Sequence, residues 1–441
     1  MRGVNFSTER SQPAFDPDSS QHGRCVSDGP NRNRPLRVLW VDLNDSLDPS
    51  NWSGTPRQII RSLQQAGVDV VTFGSENLFF RKAINWILHR YYRYARKLFY
   101  HIDRDLFWVK FFTWLVNRRL RHVHDADAIV CPFPPFAAFL RTNLPIVVIH
   151  DATWGQVVES YPWFNPGNQP DHIVANGFEL EQITYSRKDV HAVLTSKWAA
   201  DRAIEDYGLD RKRSSVIPFG ANLVMPPTAA EVESALKRRG QAVCRLLFIG
   251  KEWLRKGGPI AIETTAKLVE LGVPAELHVV GPAELIRGTE PAASLPDFVH
   301  LHGFLRKDLP EESGRLEKLY MESDFFILPT QAEALGVVFA EAAAHGLPSL
   351  GTFVGGVPSI LRDQINGAIF SPENPASEMA AWIKRKFLDR EAYLRLARMT
   401  RQDYKIRLSA DAYGNQLRSL IESVIRQHPR PDAPELFQQA G

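Results

Sequence analysis

Two glutamates, Glu333 and Glu341, stand with seven residues between them in the stretch EALGVVFAEAAAHGLP, residues 333–348. The first is predicted to follow an apolar strand at 325–328. The second lies on a short Ala-rich helix that starts near Gly336 and stops at Gly346, with Pro348 just beyond. Carboxylates accept hydrogen bonds from sugar hydroxyls. The amino end of a helix offers amides that lack intrahelical partners, and these attract phosphate. Hydroxyls and phosphate at one spot read as a nucleotide-sugar. At ordinary glutamate usage such a pair arises about once by chance in a chain this long, so the surrounding residues must carry the argument.

Lys251 and Lys256 are the next such residues. They follow Gly250 in a loop between a strand and a helix, with Gly257 and Gly258 after them. Two cations there clamp a diphosphate, and the glycines let backbone approach closely. The plain alternative is a solvated basic turn. Gly355-Gly356-Val357-Pro358 also follows a strand, and its glycines permit positive φ and close contact; an ordinary strand-to-helix turn is the other reading. His150 ends a strand at 146–149, where it can meet a sugar hydroxyl or stabilise charge, or be a structural histidine. Asp125-Ala-Asp127 matches an Asp-x-Asp metal pattern but runs straight into an apolar strand, which favours a structural role. His122, His124, His300 and His302 have no supporting cluster. There is no Ser-His-Asp arrangement, Walker loop or G-x-G-x-x-G, and no metal or cofactor is expected.

The elements that must hold these residues form two α/β sets. The first opens with the apolar run 38–41, a loop from Asp42 to Gly54 that ends Trp52-Ser53-Gly54, and a helix begun by Thr55 as cap and Pro56. A strand at 68–73 follows, and strands recur at 128–131, 146–149, 190–194 and 216–218. This is the pattern of a parallel sheet, whose ligands bind at the carboxyl ends of its strands. Met225-Pro-Pro-Thr marks a linker. The second set has strands at 246–249, 277–280, 299–302, 325–328 and 349–351. A last helix near 408–426 aligns Tyr413, Leu417, Leu420, Ile421 and Val424. The division expected is a disordered arm at 1–35, a first α/β domain at 36–224, a second at 225–405, and a last helix with a loose tail at 406–441.

Composition narrows the rest. With 441 residues, 44% hydrophobic and 23% charged, the chain reads as a soluble protein with sizeable cores. A net charge of +3 gives no global polyanion signal. Cys25, Cys131 and Cys244 lie too far apart for a metal or disulfide framework, which fits a reducing, cytoplasmic setting. The amino terminus lacks the apolar core of a signal peptide, and no run is long enough to span a bilayer. Residues 79–121 are the local exception, with eleven lysines and arginines against Asp103 and Asp105 and thirteen aromatics interleaved. They read either as an interfacial helix pair that rests on anionic membrane or as an insertion packed on the sheet with its arginines turned to solvent. No nucleic-acid motif accompanies them.

Taken together these pieces resemble a GT-B glycosyltransferase of the large retaining family often called group 1, or family four. GKEWLRKGG resembles its phosphate loop, with Lys251 at the arginine position and Lys256 at the lysine position. LHVVG, VHLHGFL and FFILPT resemble the strands that follow, and the stretch 333–361 resembles its two-glutamate signature and V-G-G turn. Asn366-Gly367 resembles its N-G turn. LTSKWAADRAIEDYG, VIPFGAN, HDATW and WSGTP resemble first-domain segments more diffusely, for a coverage of 37–425.

The resemblance implies an α/β fold of two Rossmann-like domains facing a cleft, with the last helix crossing back to the first. It implies transfer of a sugar, with retention and without metal, from a nucleotide-sugar to a glycan, lipid-linked or small-molecule hydroxyl. By it Lys251 and Lys256 stabilise the diphosphate, Glu341 holds the ribose and Glu333 the donor sugar. Gly250 and the Gly336 and Val337 amides approach the donor, His150 meets the donor sugar, and Ser53 and Gly54 keep the acceptor side open. Lys251 keeps the charge of the usual arginine but loses its fork, Ala334 replaces a common glycine, and Ser53-Gly54 replaces a glycine pair. A nucleotide-sugar 2-epimerase or a silent nucleotide-sugar binder would share this frame.

Overall fold

The structure is a computed structural model that describes residues 34–48, 51–74, 78–281 and 295–428. The expected amino-terminal arm, up to residue 33, and the tail from 429 lie outside the described residues. Residues from Leu36 onward cluster as one compact unit. Within it are two six-stranded sheets. The first contains β1 (Arg37–Val41), β2 (Asp69–Phe73), β3 (Ala128–Cys131), β4 (Ile146–His150), β5 (Val190–Leu194) and β6 (Ser214–Val216), in the order β2-β1-β3-β4-β5-β6. The second contains β7 (Cys244–Ile249), β8 (Ala275–Val280), β9 (Val299–Leu301), β10 (Phe325–Leu328), β11 (Ser349–Thr352) and β12 (Gly367–Phe370), in the order β12-β11-β10-β7-β8-β9. Every pairing is parallel. Helices cover both faces of such sheets, which is why β3, β10 and β4 up to Ile149 are unbroken apolar runs rather than alternating ones.

Each order reverses once. In the first sheet the chain steps from β1 to β2 on one side and then to β3 on the other. In the second it steps through β8 and β9 before returning to place β10 on the far side of β7. Loops leaving two adjacent strands in opposite directions open a crevice at their carboxyl ends. The loops that follow β7 and β10 carry Lys251, Lys256 and Glu333.

The last helix, Ala410–Gln427, packs against the first helix, Thr55–Gln65, and Arg418 Nη1 donates to the Ala66 carbonyl at 2.7 Å. Its start is set by Ser409, whose side chain accepts from the Ala412 amide. The chain thus passes between the sheets twice. The two passages touch, with the Ala221 amide donating to the Leu408 carbonyl at 2.8 Å.

Two local expectations change. Thr55 is not the cap of the first helix but its first residue; the cap is Gly54. A tight left-handed turn, with φ of 45° at Trp52, 56° at Ser53 and 79° at Gly54, delivers the chain into the helix one residue early. The second change is β12, an edge strand of four residues that follows the predicted Asn366-Gly367 turn. Its three apolar residues, Ala368, Ile369 and Phe370, are too short a run to announce a strand.

Candidate active site

A cleft of about 1120 Å³ lies between the carboxyl ends of the two sheets and takes walls from both. Its second-sheet wall is the crevice described above. Loop 250–257 and the segment after β10 are sewn together: the Gln331 amide and the Thr330 hydroxyl both donate to the Arg255 carbonyl, at 2.8 and 3.1 Å. Gly257 has φ +79°, and a Cβ there would sit 1.9 Å from the Pro329 carbonyl oxygen, so only glycine lets the loops meet. Gly355 and Gly356 act likewise from below. A Cβ on either would strike the carbonyl of Glu333 or Ala334, at 2.1 and 1.8 Å, and the Gly356 amide donates to the Glu333 carbonyl at 3.0 Å. The glycine pair therefore seats the backbone that carries Glu333.

On this wall Lys256 Nζ donates to the Glu333 carboxylate. Lys251 Nζ lies 4.8 Å from the centre of the Phe304 ring. Arg255, which the sequence reading passed over, adds a third cation. It grips Glu252 through two bonds of 2.6 and 2.7 Å, reaches 3.7 Å from Glu333, and lies 5.1 Å over the Tyr161 ring of the opposite wall. Its signal was its place beside Lys256 in the same loop.

The facing wall belongs to the first sheet. His150 is buried at the end of β4 with Trp52 and Phe133 against it, at ring distances of 5.4 and 5.2 Å. Its Nδ1 donates to the Ala152 carbonyl, since an oxygen there can only accept. Burial, with the Arg104 charge second, pulls this imidazole down to about 3, so it is neutral near pH 7 and cannot act as a cation. Asp151 beside it is pushed up to about 6 by burial, with Glu333 adding to that and hydrogen bonds, one from Trp52, opposing it. Behind them Arg104 is buried with Glu181 at 3.2 Å, and its guanidinium lies 4.4 Å from both the Phe133 and the Trp154 rings.

Ser53, Gly54, His150, Gly250, Lys251, Lys256 and Glu333 all line this one cleft. Glu341, Gly336 and Val337 stand behind the wall, which Ala334 and Val338 form instead. Gly336, with φ +85°, caps the helix Val337–Ala344 and turns it inward. Val337 borders a small void shared with Thr55 and Asn222. Glu341 is buried and paired with Lys307, a residue of the cleft wall that the sequence reading missed; Tyr320 Oη also donates to it at 3.0 Å. Asp125 and Asp127 both bind Arg37 at the entry to β1, Asp127 at 3.0 Å from its amide, so the Asp-x-Asp pair fixes a strand end. Among the described residues no group of three or more histidines, cysteines and carboxylates is placed to hold a metal ion, and no helix is long and apolar enough to cross a membrane.

Two facing parallel sheets, each reversing its order at the cleft, with a last helix returned to the first, define the GT-B class. The likeness to solved structures agrees. Sucrose-phosphate synthase from Thermosynechococcus elongatus superposes with a TM-score of 0.60 at 17% identity, covering 89% of this chain and all of that one. Anabaena HepE, solved with UDP-glucose, gives 0.56 at 15% identity over 88% of this chain and all of its own. Residues 244–388, the core of the second sheet, match the family model described as Glycosyl transferases group 1. A D-inositol 3-phosphate glycosyltransferase from Geodermatophilus obscurus is 29% identical over 193 residues, which is 41% of this chain. The match spans 42% of that relative's length.

Proposed function

We propose that the protein transfers a glycosyl unit from a nucleotide-sugar to a hydroxyl of a glycan, lipid-linked or small-molecule acceptor, with retention at the anomeric carbon and without a bound metal. The observation that carries this reading is the convergence of Lys251, Arg255, Lys256 and Glu333 at the switch point of the second sheet, opposite His150 and Asp151. Charge develops on the leaving diphosphate, and fixed cations beside it lower that barrier most directly. In this reading Lys251 and Lys256 take the diphosphate with Gly250 close by, and Glu333 holds donor hydroxyls. Glu341 takes the ribose once Lys307 gives way, and the Gly336 and Val337 amides support the donor from behind the wall. His150, neutral, hydrogen-bonds the donor sugar rather than countering charge. Ser53 and Gly54 leave the acceptor room, residues 36–224 form the acceptor side and 225–405 the donor side, and closure of the cleft excludes water. A cytoplasmic setting suits a nucleotide-sugar donor.

Asp151 supports a second reading. A carboxyl held near 6 is suited to proton transfer, as an isomerase such as a nucleotide-sugar 2-epimerase needs. One assay separates the readings: the protein is incubated with a panel of nucleotide-sugars, with and without hydroxyl acceptors. Acceptor-dependent nucleotide release is the expected result. Epimer formation without acceptor would establish the isomerase, and binding without turnover a silent binder. EDTA should leave transfer unchanged; a strict magnesium or manganese requirement would overturn the metal-free part.

A further inference from the structure

The helices Leu78–Tyr91 and Leu106–Leu120 are apolar on both sides. Their inner faces do what an insertion should. Ile84, Leu88 and Tyr92 pack toward the core of the first sheet, as do Phe112, Val116 and Leu120. The outer faces are the anomaly. Phe79, Trp86, Ile87 and Tyr91 fall at helical spacing on one stripe around Arg90, and Tyr94 continues it. They are exposed, Phe79 by 88%, Trp86 by 64% and Tyr94 by 74%. On the second helix Phe107, Lys110, Trp114 and Arg118 repeat the pattern, with Trp114 exposed by 51%. Such a surface loses free energy to water unless something covers it.

Charge chooses the occupant. Exposed Lys82, Arg90, Arg93, Arg96, Lys97 and Arg118 flank or punctuate these aromatics. Arg90 lies 5.6 Å from the Trp86 ring and 5.1 Å from the Tyr94 ring, and Arg118 lies 5.2 Å from Trp114. The segment's two carboxylates face elsewhere. Asp105 caps the second helix and accepts from Tyr100 Oη at 2.8 Å, and Asp103 lines the cleft. A second copy would bring like charge against like charge. An anionic bilayer supplies both an apolar layer for the rings and phosphates for the cations. We infer that the outer faces of these two helices dock the protein on the surface of an anionic lipid bilayer, aromatic rings at headgroup depth and arginines against lipid phosphate.

The test is co-sedimentation of the full chain with phosphatidylcholine vesicles, with and without phosphatidylglycerol. Binding is expected with phosphatidylglycerol at low salt, falling about tenfold when that anionic lipid is left out or when salt screens its charge. The double variants Trp86→Ser/Tyr94→Ser and Arg90→Glu/Arg118→Glu should each lower binding about tenfold. All four side chains are exposed, so the thermal melt should not move; it serves as the folding control. Failure to bind phosphatidylglycerol vesicles at low salt would overturn the proposal, as would binding by both variants as strong as the parent's. A dimer in sedimentation velocity that Trp86→Ser/Tyr94→Ser dissolves, without vesicle binding, would assign the face to a second copy instead. None of these outcomes depends on glycosyl transfer.

Discussion

Lys307 donates from the cleft wall to the buried carboxylate of Glu341, so the side chain proposed to hold the ribose is closed off by a cation. The pair joins the loop after β9 to the helix Val337–Ala344. A nucleotide that takes Glu341 must first displace Lys307, and the freed ammonium would then face the cleft proposed to hold the diphosphate. Lys307→Ala should therefore have two effects. Glu341 is left buried with Tyr320 alone, which lowers stability by about 1–3 kcal/mol. The competitor for Glu341 is also gone. Thermal melting with and without UDP or GDP reads both, and a Lys307→Ala protein as stable as the parent would show that the pair contributes nothing.

Lys256→Ala should reduce turnover far more than donor affinity. A cation beside the leaving group matters most where charge develops, and loss of one such donor costs about 10²- to 10³-fold in kcat. Saturation kinetics separate kcat from KM. Unchanged turnover would remove Lys256 from the diphosphate clamp.

Asp151 makes stability depend on pH in a definite direction. Its carboxyl rises from an ordinary 3.8 to about 6 on folding, so the folded state holds the proton more tightly. Between those values the folded state binds more protons than the unfolded one, and Asp151 takes stability away as pH rises. Asp151→Asn should melt higher than the parent at pH 7, with the gap closing toward pH 4. A gap that does not vary with pH would place the titration elsewhere.

Arg104 and Glu181 are both buried, and removal of one leaves the other without its counter-charge. Arg104→Ala should destabilise the protein by about 3–5 kcal/mol. Denaturant unfolding measures it, and a midpoint shift too small to detect would mean that Glu181 takes up a proton at little cost.

Much of the second sheet was legible because its chemistry and its folding signals lie in the same short stretches. Lys256 and Gly257 mark at once a strand end, a loop whose backbone must make a close approach and a cation beside it, although only the structure shows that the approach is to Pro329. Glu333 is as visible, since β10 is plainly apolar and a strand end in such a sheet is where ligands bind. The cross-chain partners were not legible. Lys307 meets Glu341 across 34 residues, Arg104 meets Glu181 across 77, and nothing local marks either pair. The cap at Gly54 was misread as Thr55 because Thr-Pro is a good local start, and only the left-handed turn through Trp52 and Ser53 shows that the chain enters earlier. Glu341 was correctly set on a helix, yet its depth behind Ala334 and Val338 depends on how Gly336 turns that helix.

The contact of Ala221 with Leu408 has a mechanical meaning. One covalent passage between the halves would be a pivot point, about which they could swivel in any direction. Two passages side by side, hydrogen-bonded to each other, fix a line. Motion about that line would keep the two walls in register and would carry Lys256 and Tyr161 along one arc. A cut at either passage would free the other to twist. The last helix would then bear on alignment at a cleft that it does not line.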